Sequence, residues 1–202
     1  MVRDVFTDIR AQEARLGLPE GFYLGLFNDG DWSFVIKLNA LIEASCTHAL
    51  VARLHAPELS GPLSSLDLGH SKYGKVALLR ALGALSSDQA NVLQLLYQLR
   101  NTLAHDIKQV SFSFEQHLAA MDKQQRSNFF RGAGHGVNLV VGVDGKEMGR
   151  DEFVANNPKL ALWMTVAEII ACLYLEHEAS QVRLERLALE SLRRARDPSG
   201  GL

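Results

Sequence analysis

The segment YQLRNTLAHD, Tyr97 to Asp106, closes a long apolar-periodic run with a cation, an amide and an imidazole: Arg100, Asn101 and His105. Arginine offers a planar, permanently charged fork that matches phosphate oxygens. Histidine titrates near neutrality and can take or give a proton. Asparagine can orient a ribose or select the tautomer of the imidazole. These groups suffice for RNA cleavage without a metal. His105 would remove the proton of a 2′-hydroxyl, that oxygen would attack the adjacent phosphorus, and Arg100 would stabilise the charge on the phosphoryl oxygens. DNA lacks the hydroxyl and would be spared.

The chemistry needs the groups to meet. On a helix at about 100° per residue, Asn101 and His105 share a face, and Arg100 lies about 140° from His105. They converge on one ligand if the last turn loosens, or if a two-fold partner brings a second copy of the helix end against the first. Leu95, Leu96, Leu99 and Leu103 form the apolar face that holds this end against a core. A structural explanation competes, because Arg and His near a helix C-terminus are favoured by the helix dipole. Periodicity alone leaves both open.

Other residues are weaker candidates. Glu43, amid Leu41, Ile42 and Ala44, either orients His105 or pairs with Arg100, or else faces solvent on an amphipathic helix. GHSKYGKV, Gly69 to Val76, nearly matches a phosphate loop, but Val76 stands where a hydroxyl would bind magnesium. LSSLDL before it is no buried strand, and VNLVVGVD, ending at Asp144, lacks a strand-helix background. The bland reading is a helix start, with Ser71 as cap and Gly74 allowing close helix approach. Lys72 and Lys75 then either reach solvent or add positive charge near Arg100. His135 in GAGHG is a lone loop imidazole with no partners at metal spacing, and His48, His55, His70, His117 and His177 are scattered. No motif implies a cofactor or a metal. The tail VRLERLALESLRRARD mixes Arg183, Arg186, Arg193, Arg194 and Arg196 with glutamates. It reads as a solvated face, a surface for a partner subunit, or a local basic patch.

The elements that must position these residues are helical. Val2 to Leu16 reads as a short helix ended by Gly17 and Pro19. SFVIKLNALIEASCTHALVARLH follows with three-four spacing of apolar residues and Asp31 or Ser33 as its cap. SKYGKVALLRALGAL ends at Gly83, an αL cap. Ser86 and Gln89 have capping-box spacing, and the next helix runs through Val92, Leu95, Leu96, Leu99 and Leu103 to His105. Ser113 to Gln125 predicts a further helix. Asp144-Gly145 is a hairpin turn signal within a Gly-rich, β-branched stretch near 136–148. Asn157-Pro158 opens a final helix of nearly forty residues, with a kink near His177 to Ser180 or a projecting tail. The fold class is therefore all-α: a helical bundle with a long C-terminal helix and a small β-hairpin insertion.

Composition sets bounds on this reading. The chain has 202 residues, 47% hydrophobic, enough for one good core. A net charge of −2 gives no global pull toward nucleic acid, so any such contact needs a local basic patch. Cys46 and Cys172 lie in apolar segments without Cys-x-x-Cys spacing, as buried free thiols of a reducing cytoplasm would. The N-terminal residues lack the apolar core of a signal peptide. The longest apolar run, Leu160 to Leu175, spans 16 residues and includes Glu168. It is short of the roughly 20 a membrane span needs, and predicts a buried core helix.

Arg-Asn-x-x-x-His at the end of an apolar helix, in an all-helical chain, resembles the R-x4-H signature of the HEPN superfamily. GKVALLRALGALSSDQANVLQLLYQLRNTLAH resembles the paired helices of its mannitol-repressor-like branch and related uncharacterised bacterial proteins. The likeness covers about Trp32 to Asp106, the final helix is compatible, and 107–157 is unexplained. The resemblance implies an N-terminal helix and loop over 1–30 and a HEPN-like domain over 31–202, with an irregular insertion at about 107–157. It implies a homodimer whose motif helices face each other, with Arg100, Asn101 and His105 of both copies in one composite site. Members are either metal-independent endoribonucleases of toxin-antitoxin, phage-defence or RNA-processing systems, with RNA as substrate and a cognate antitoxin as partner, or non-catalytic regulatory or protein-interaction modules. The toxin branch with tyrosine two residues after the histidine is not matched, because Ile107 stands there.

Overall fold

The computed structural model describes residues 4–143 and 146–196, and the side chains of 107, 143 and 194–196 lie outside the description. The chain folds as α1 (Val5–Arg15), α2 (Phe22–Gly25), α3 (Asp31–Leu54), α4 (Ser60–Ser64), α5 (Lys75–Ala81) and α6 (Ser87–His105). There follow α7 (Phe114–Ala120), α8 (Lys123–Ala133), β1 (Val140–Val143), β2 (Lys146–Gly149), α9 (Arg150–Asn156) and α10 (Pro158–Arg196). It is an all-α bundle with a long C-terminal helix and one antiparallel hairpin, registered from Val140 opposite Gly149 to Val143 opposite Lys146. The turn residues Asp144 and Gly145 lie outside the described residues.

α3 is the axle. Phe34, Val35, Leu38, Leu41, Ile42, Cys46, Ala49 and Leu50 are buried over about half of its circumference, and Lys37 and Ala40 stay exposed on the other side. So broad a buried face needs more than one neighbour, and α10, α6, α5 and α4 cover it. α1 lies along α10. α3 and the first part of α10 are each long and apolar enough to cross a membrane, and here they pack on one another.

Polar groups lock the bundle ends. The Tyr23 hydroxyl donates to the Trp163 carbonyl, and Trp163 Nε1 donates back to the Tyr23 carbonyl at 3.1 Å. Asp31 does not cap α3, and neither does Ser33, because Gly30 occupies the N-cap without a side-chain bond. Asp31 accepts the Phe114 amide at 3.0 Å and pairs with Lys159 at 3.5 Å, so it ties α7 and α10 to the start of α3. Ser71 likewise leaves the cap of α5 to Gly74. A Cβ on Gly74 would stand 2.5 Å from the His70 amide nitrogen, so that turn closes only around glycine. Gly83 adopts φ +72° after α5, as an αL cap does.

The segment read as one helix over 113–125 is two. α7 stops at Ala120, and Asp122 with Gln125 forms a second capping box that starts α8. α10 is one unbroken element, and beyond Ser180 it projects with Val182, Leu187, Leu189 and Leu192 exposed. Cys46 is buried and Cys172 half-buried, both free. Burial pushes the Cys46 thiol up to about 12, with Glu43 adding to the rise and Lys75 opposing it.

Candidate functional site

α6 is the carrier. The Ser86–Gln89 capping box fixes its start, and Val92, Leu93, Leu96, Leu99 and Leu103 bury one face. Trp32 Nε1 donates to the Leu103 carbonyl at 3.3 Å, satisfying one of the acceptors a helix end leaves free. This end of α6 is thereby tied to the start of α3. Tyr97, Arg100, Asn101 and His105 emerge from it into an open cleft of about 230 Å³, completed by Asn39 and Glu43 of α3 and by Asp67 and Leu68 of the loop before α5.

Arg100 and His105 thus line the same cleft despite their angular separation on the helix. The Arg100 guanidinium turns along the surface and donates to Asn101 Oδ1 at 3.0 Å. Among the described residues it forms no ion pair. Asn101 also meets the Tyr97 hydroxyl, which donates to Asp67 Oδ2 at 2.7 Å. The result is a relay Arg100–Asn101–Tyr97–Asp67 across the floor. Desolvation alone would raise the Asp67 carboxyl. Hydrogen bonds from Tyr97 and from the Gly69 and His70 amides, with the charge of His70, outweigh it and hold Asp67 below the usual carboxylate range. The same bond to Asp67 is the main cause that raises the Tyr97 phenol.

Glu43 pairs with neither Arg100 nor His105. Its Oε1 accepts from Lys75 Nζ at 2.8 Å, and Lys75 also donates to the Ser64 carbonyl at 3.0 Å. Lys75 is only 1% exposed, so it does not reach solvent; its charge sits behind the cleft wall and holds Glu43 there. Lys72 is exposed in the turn and lies outside the cleft lining. GHSKYGKV follows α4 and a loop, not a strand. It packs behind Tyr97 beside the cleft: a Cβ on Gly69 would fall 2.3 Å from Tyr97 Cδ1, so glycine lets the ring lie against the loop.

Asn39, Asp67 and Tyr97 are not among the site candidates the sequence offers. Tyr97 stands four residues before Asn101 and eight before His105, so helical spacing alone could have found it. Asn39 is buried with its Nδ2 unpartnered at the edge of the cleft. Such an orphan donor is costly unless a ligand or water meets it.

The remaining candidates lie elsewhere. His135 lines a different cleft, beside α6, α8 and α9. In the tail, Arg183 pairs with Glu176 at 2.7 Å and Arg186 with Glu190 at 3.1 Å, while the side chains of Arg194 and Arg196 lie outside the described residues. Among the described residues no group of three or more His, Cys, Asp or Glu could hold a metal ion. The chain matches no protein-family model, and no curated protein or solved structure matches it significantly.

Proposed function

We propose that the α6 cleft is half of a composite endoribonuclease site in a HEPN-like homodimer, acting on RNA in a stress or phage-defence setting under a cognate antitoxin. The observation that carries this reading is the company of Arg100 and His105. A guanidinium free of ion pairs, oriented by Asn101, shares an open cleft with an imidazole that makes no side-chain hydrogen bond among the described residues. A guanidinium engaged in a salt bridge would have to break it before binding phosphate.

His105 takes the proton of a ribose 2′-hydroxyl, and that oxygen forms a bond to the adjacent phosphorus. The bond to the 5′-oxygen breaks, leaving a 2′,3′-cyclic phosphate on one fragment and a 5′-hydroxyl on the other. The proton for the departing 5′-oxygen comes from the protonated His105 of the second copy. Arg100 neutralises charge on the non-bridging oxygens. Duplication matters because one copy supplies one strong cation to a cleft that also holds Asp67 and Glu43. The setting would be the cytoplasm.

The test is incubation of purified protein with single-stranded RNA in EDTA, beside His105→Ala and Arg100→Ala. Cleavage to cyclic-phosphate ends, lost in both variants, is the expected result. Two carboxylates in the cleft and a net charge of −2 favour a second reading, a non-catalytic regulatory or protein-interaction module of mannitol-repressor-like type. Absence of cleavage with any RNA, and unchanged behaviour of both variants, would select it.

A further inference from the structure

A second cleft, of about 420 Å³, opens nearer the start of α6, between that helix, α8 and the start of α9. Three cationic or titratable groups line it: Arg131, His135 and Arg150. Around them stand four amides, Asn91, Gln94, Gln98 and Asn128. One carboxylate, Asp88, is also in the lining. Asp88 sits in the first turn of α6, where the helix dipole accounts for it. Neither Arg131 nor Arg150 forms an ion pair among the described residues. Arg131 donates to the neutral Asn128 Oδ1 at 3.0 Å, and Arg150 Nε is buried with no partner.

Two features resist a purely structural explanation. First, Arg150 is the opening residue of α9, where a cation works against the helix dipole. Its aliphatic stem presses on Gly134, where a Cβ would fall 2.9 Å from Arg150 Cδ. Its backbone amide is tied to the Leu139 carbonyl at 3.0 Å. Second, the glycines of GAGHG each meet a different helix. A Cβ would crowd Leu95 of α6 at Gly132, strike the Phe130 carbonyl and Arg150 of α9 at Gly134, and strike Thr165 of α10 at Gly136. Thr165 accepts the Gly136 amide at 2.9 Å and donates to the Ala133 carbonyl at 2.7 Å. The segment is stitched down on three sides, which fixes His135 between the two arginines in sequence and beside them in the cleft.

We infer that this cleft binds a phosphomonoester carried on a polar small molecule, of the size of a mononucleotide or sugar phosphate. Two forks and an imidazole suit a tetrahedral oxyanion with several acceptor oxygens. The volume exceeds what free phosphate fills and falls within the usual range of small-molecule sites, about 300–1,000 Å³. The amides supply donors and acceptors for hydroxyls or a base edge, and on α6 they replace the charged residues an exposed face usually carries. Between Asp88 and His105 the only formally charged residue is Arg100. The inference is independent of the endoribonuclease reading.

Isothermal titration of the full chain with AMP, glucose 6-phosphate, inorganic phosphate and a ten-nucleotide single-stranded RNA tests it, beside Arg131→Gln, Arg150→Gln and Arg100→Ala. The expected result is binding of AMP or glucose 6-phosphate more tightly than inorganic phosphate. That affinity falls at least tenfold in Arg131→Gln and Arg150→Gln and is unchanged in Arg100→Ala. Arg131 is exposed, so its variant keeps the test meaningful if Arg150→Gln proves unstable. No phosphomonoester binding at millimolar concentration, or binding indifferent to both glutamine variants, overturns the inference. So does RNA binding that needs Arg131 while neither small ligand binds, which would make the cleft part of a strand path.

Discussion

The two clefts along α6 use the same kinds of side chain to opposite effect. At the C-terminal end, Arg100 shares its cleft with Asp67 and with Glu43, and the polar groups are wired to one another through Asn101 and Tyr97. Toward the N-terminal end, about 10 Å along the helix axis, Arg131 and Arg150 carry no paired carboxylate and are surrounded by neutral amides. Relays among groups of opposite charge orient side chains and suit a reaction, in which protons must move. Unbalanced cations hold an anion. The same distinction separates the two experiments, because loss of Arg100 should leave the second cleft alone and loss of Arg131 or Arg150 the first.

The largest effect should come from His105→Ala, with RNA cleavage falling about 10²–10⁴-fold, the usual worth of a positioned acid or base. AMP affinity in the same variant should be unchanged. A variant that loses both would merge the two clefts into one functional unit.

Next in size is Lys75→Met. It leaves Glu43 without its partner and the Ser64 carbonyl without its donor. A fully buried pair broken on one side costs about 3–5 kcal/mol. Glu43 is 37% exposed, so water screens what remains and the expected loss is about 1–3 kcal/mol in urea denaturation. A stability unchanged within error would mean the ammonium is not buried in solution. Cleavage should fall further than stability explains, since Glu43 is then free to swing toward Arg100.

Thr165→Val acts on the other cleft. It removes the acceptor of the Gly136 amide and the donor to Ala133. Hydrogen-bond loss of this kind costs about 1–2 kcal/mol. The distinguishing outcome is weaker AMP binding, measured by titration, with cleavage intact. Equal losses in both would show that α10 supports the clefts jointly.

The legible parts of the molecule were those written locally. The capping box at Ser86 and the apolar face through Leu103 set α6 in place, and the polar triplet Arg100, Asn101 and His105 falls on its end. The hairpin was visible from β-branched residues flanking a turn. Asp67 was not visible, because its contact with Tyr97 spans 30 residues of chain and depends on how a glycine loop folds over an aromatic ring. The burial of Lys75 was not visible, since no local pattern announces a buried lysine. Its burial is made by Glu43, 32 residues away. The break at Asp122 was legible and was missed, for Asp122 and Gln125 have the same spacing as Ser86 and Gln89. Arg150 was read only as part of an irregular stretch, since nothing within it tells that α6 and α8 stand opposite.

Tyr97→Phe is a smaller change, about 0.5–1.5 kcal/mol for one hydrogen bond partly open to water. Its sharper readout is Asp67. The Tyr97 bond helps hold that carboxyl low, so the native state keeps it ionised to lower pH than the unfolded chain does. The stabilisation is present above the ordinary carboxylate pKa and lost as pH falls through the depressed one. In Tyr97→Phe the Asp67 titration followed by NMR should move up toward the ordinary value. An unmoved titration would place the hydroxyl elsewhere in solution.

The subtlest effect is on acid stability, and it decides the conditions under which the clefts can be compared. Burial is the first cause that lowers His48, His177 and His117 from the ordinary 6.5, with Arg15 of α1 adding to the first two. His177 also feels Glu178, which Arg15 engages at 2.6 Å, and its Nδ1 is buried without a partner. A depressed histidine binds its proton more weakly in the folded chain than in the unfolded one. Unfolding therefore takes up protons as pH falls below about 6.5, and stability declines with it until the folded values are passed. The melting temperature should hold steady above that pH and drop below it, and His48→Gln should flatten the drop. A melting temperature that rises on acidification would reverse the sign and remove burial as the cause. Within the falling range, lost stability and protonation of the reacting groups act on cleavage and on AMP binding together, so the two clefts are compared above it.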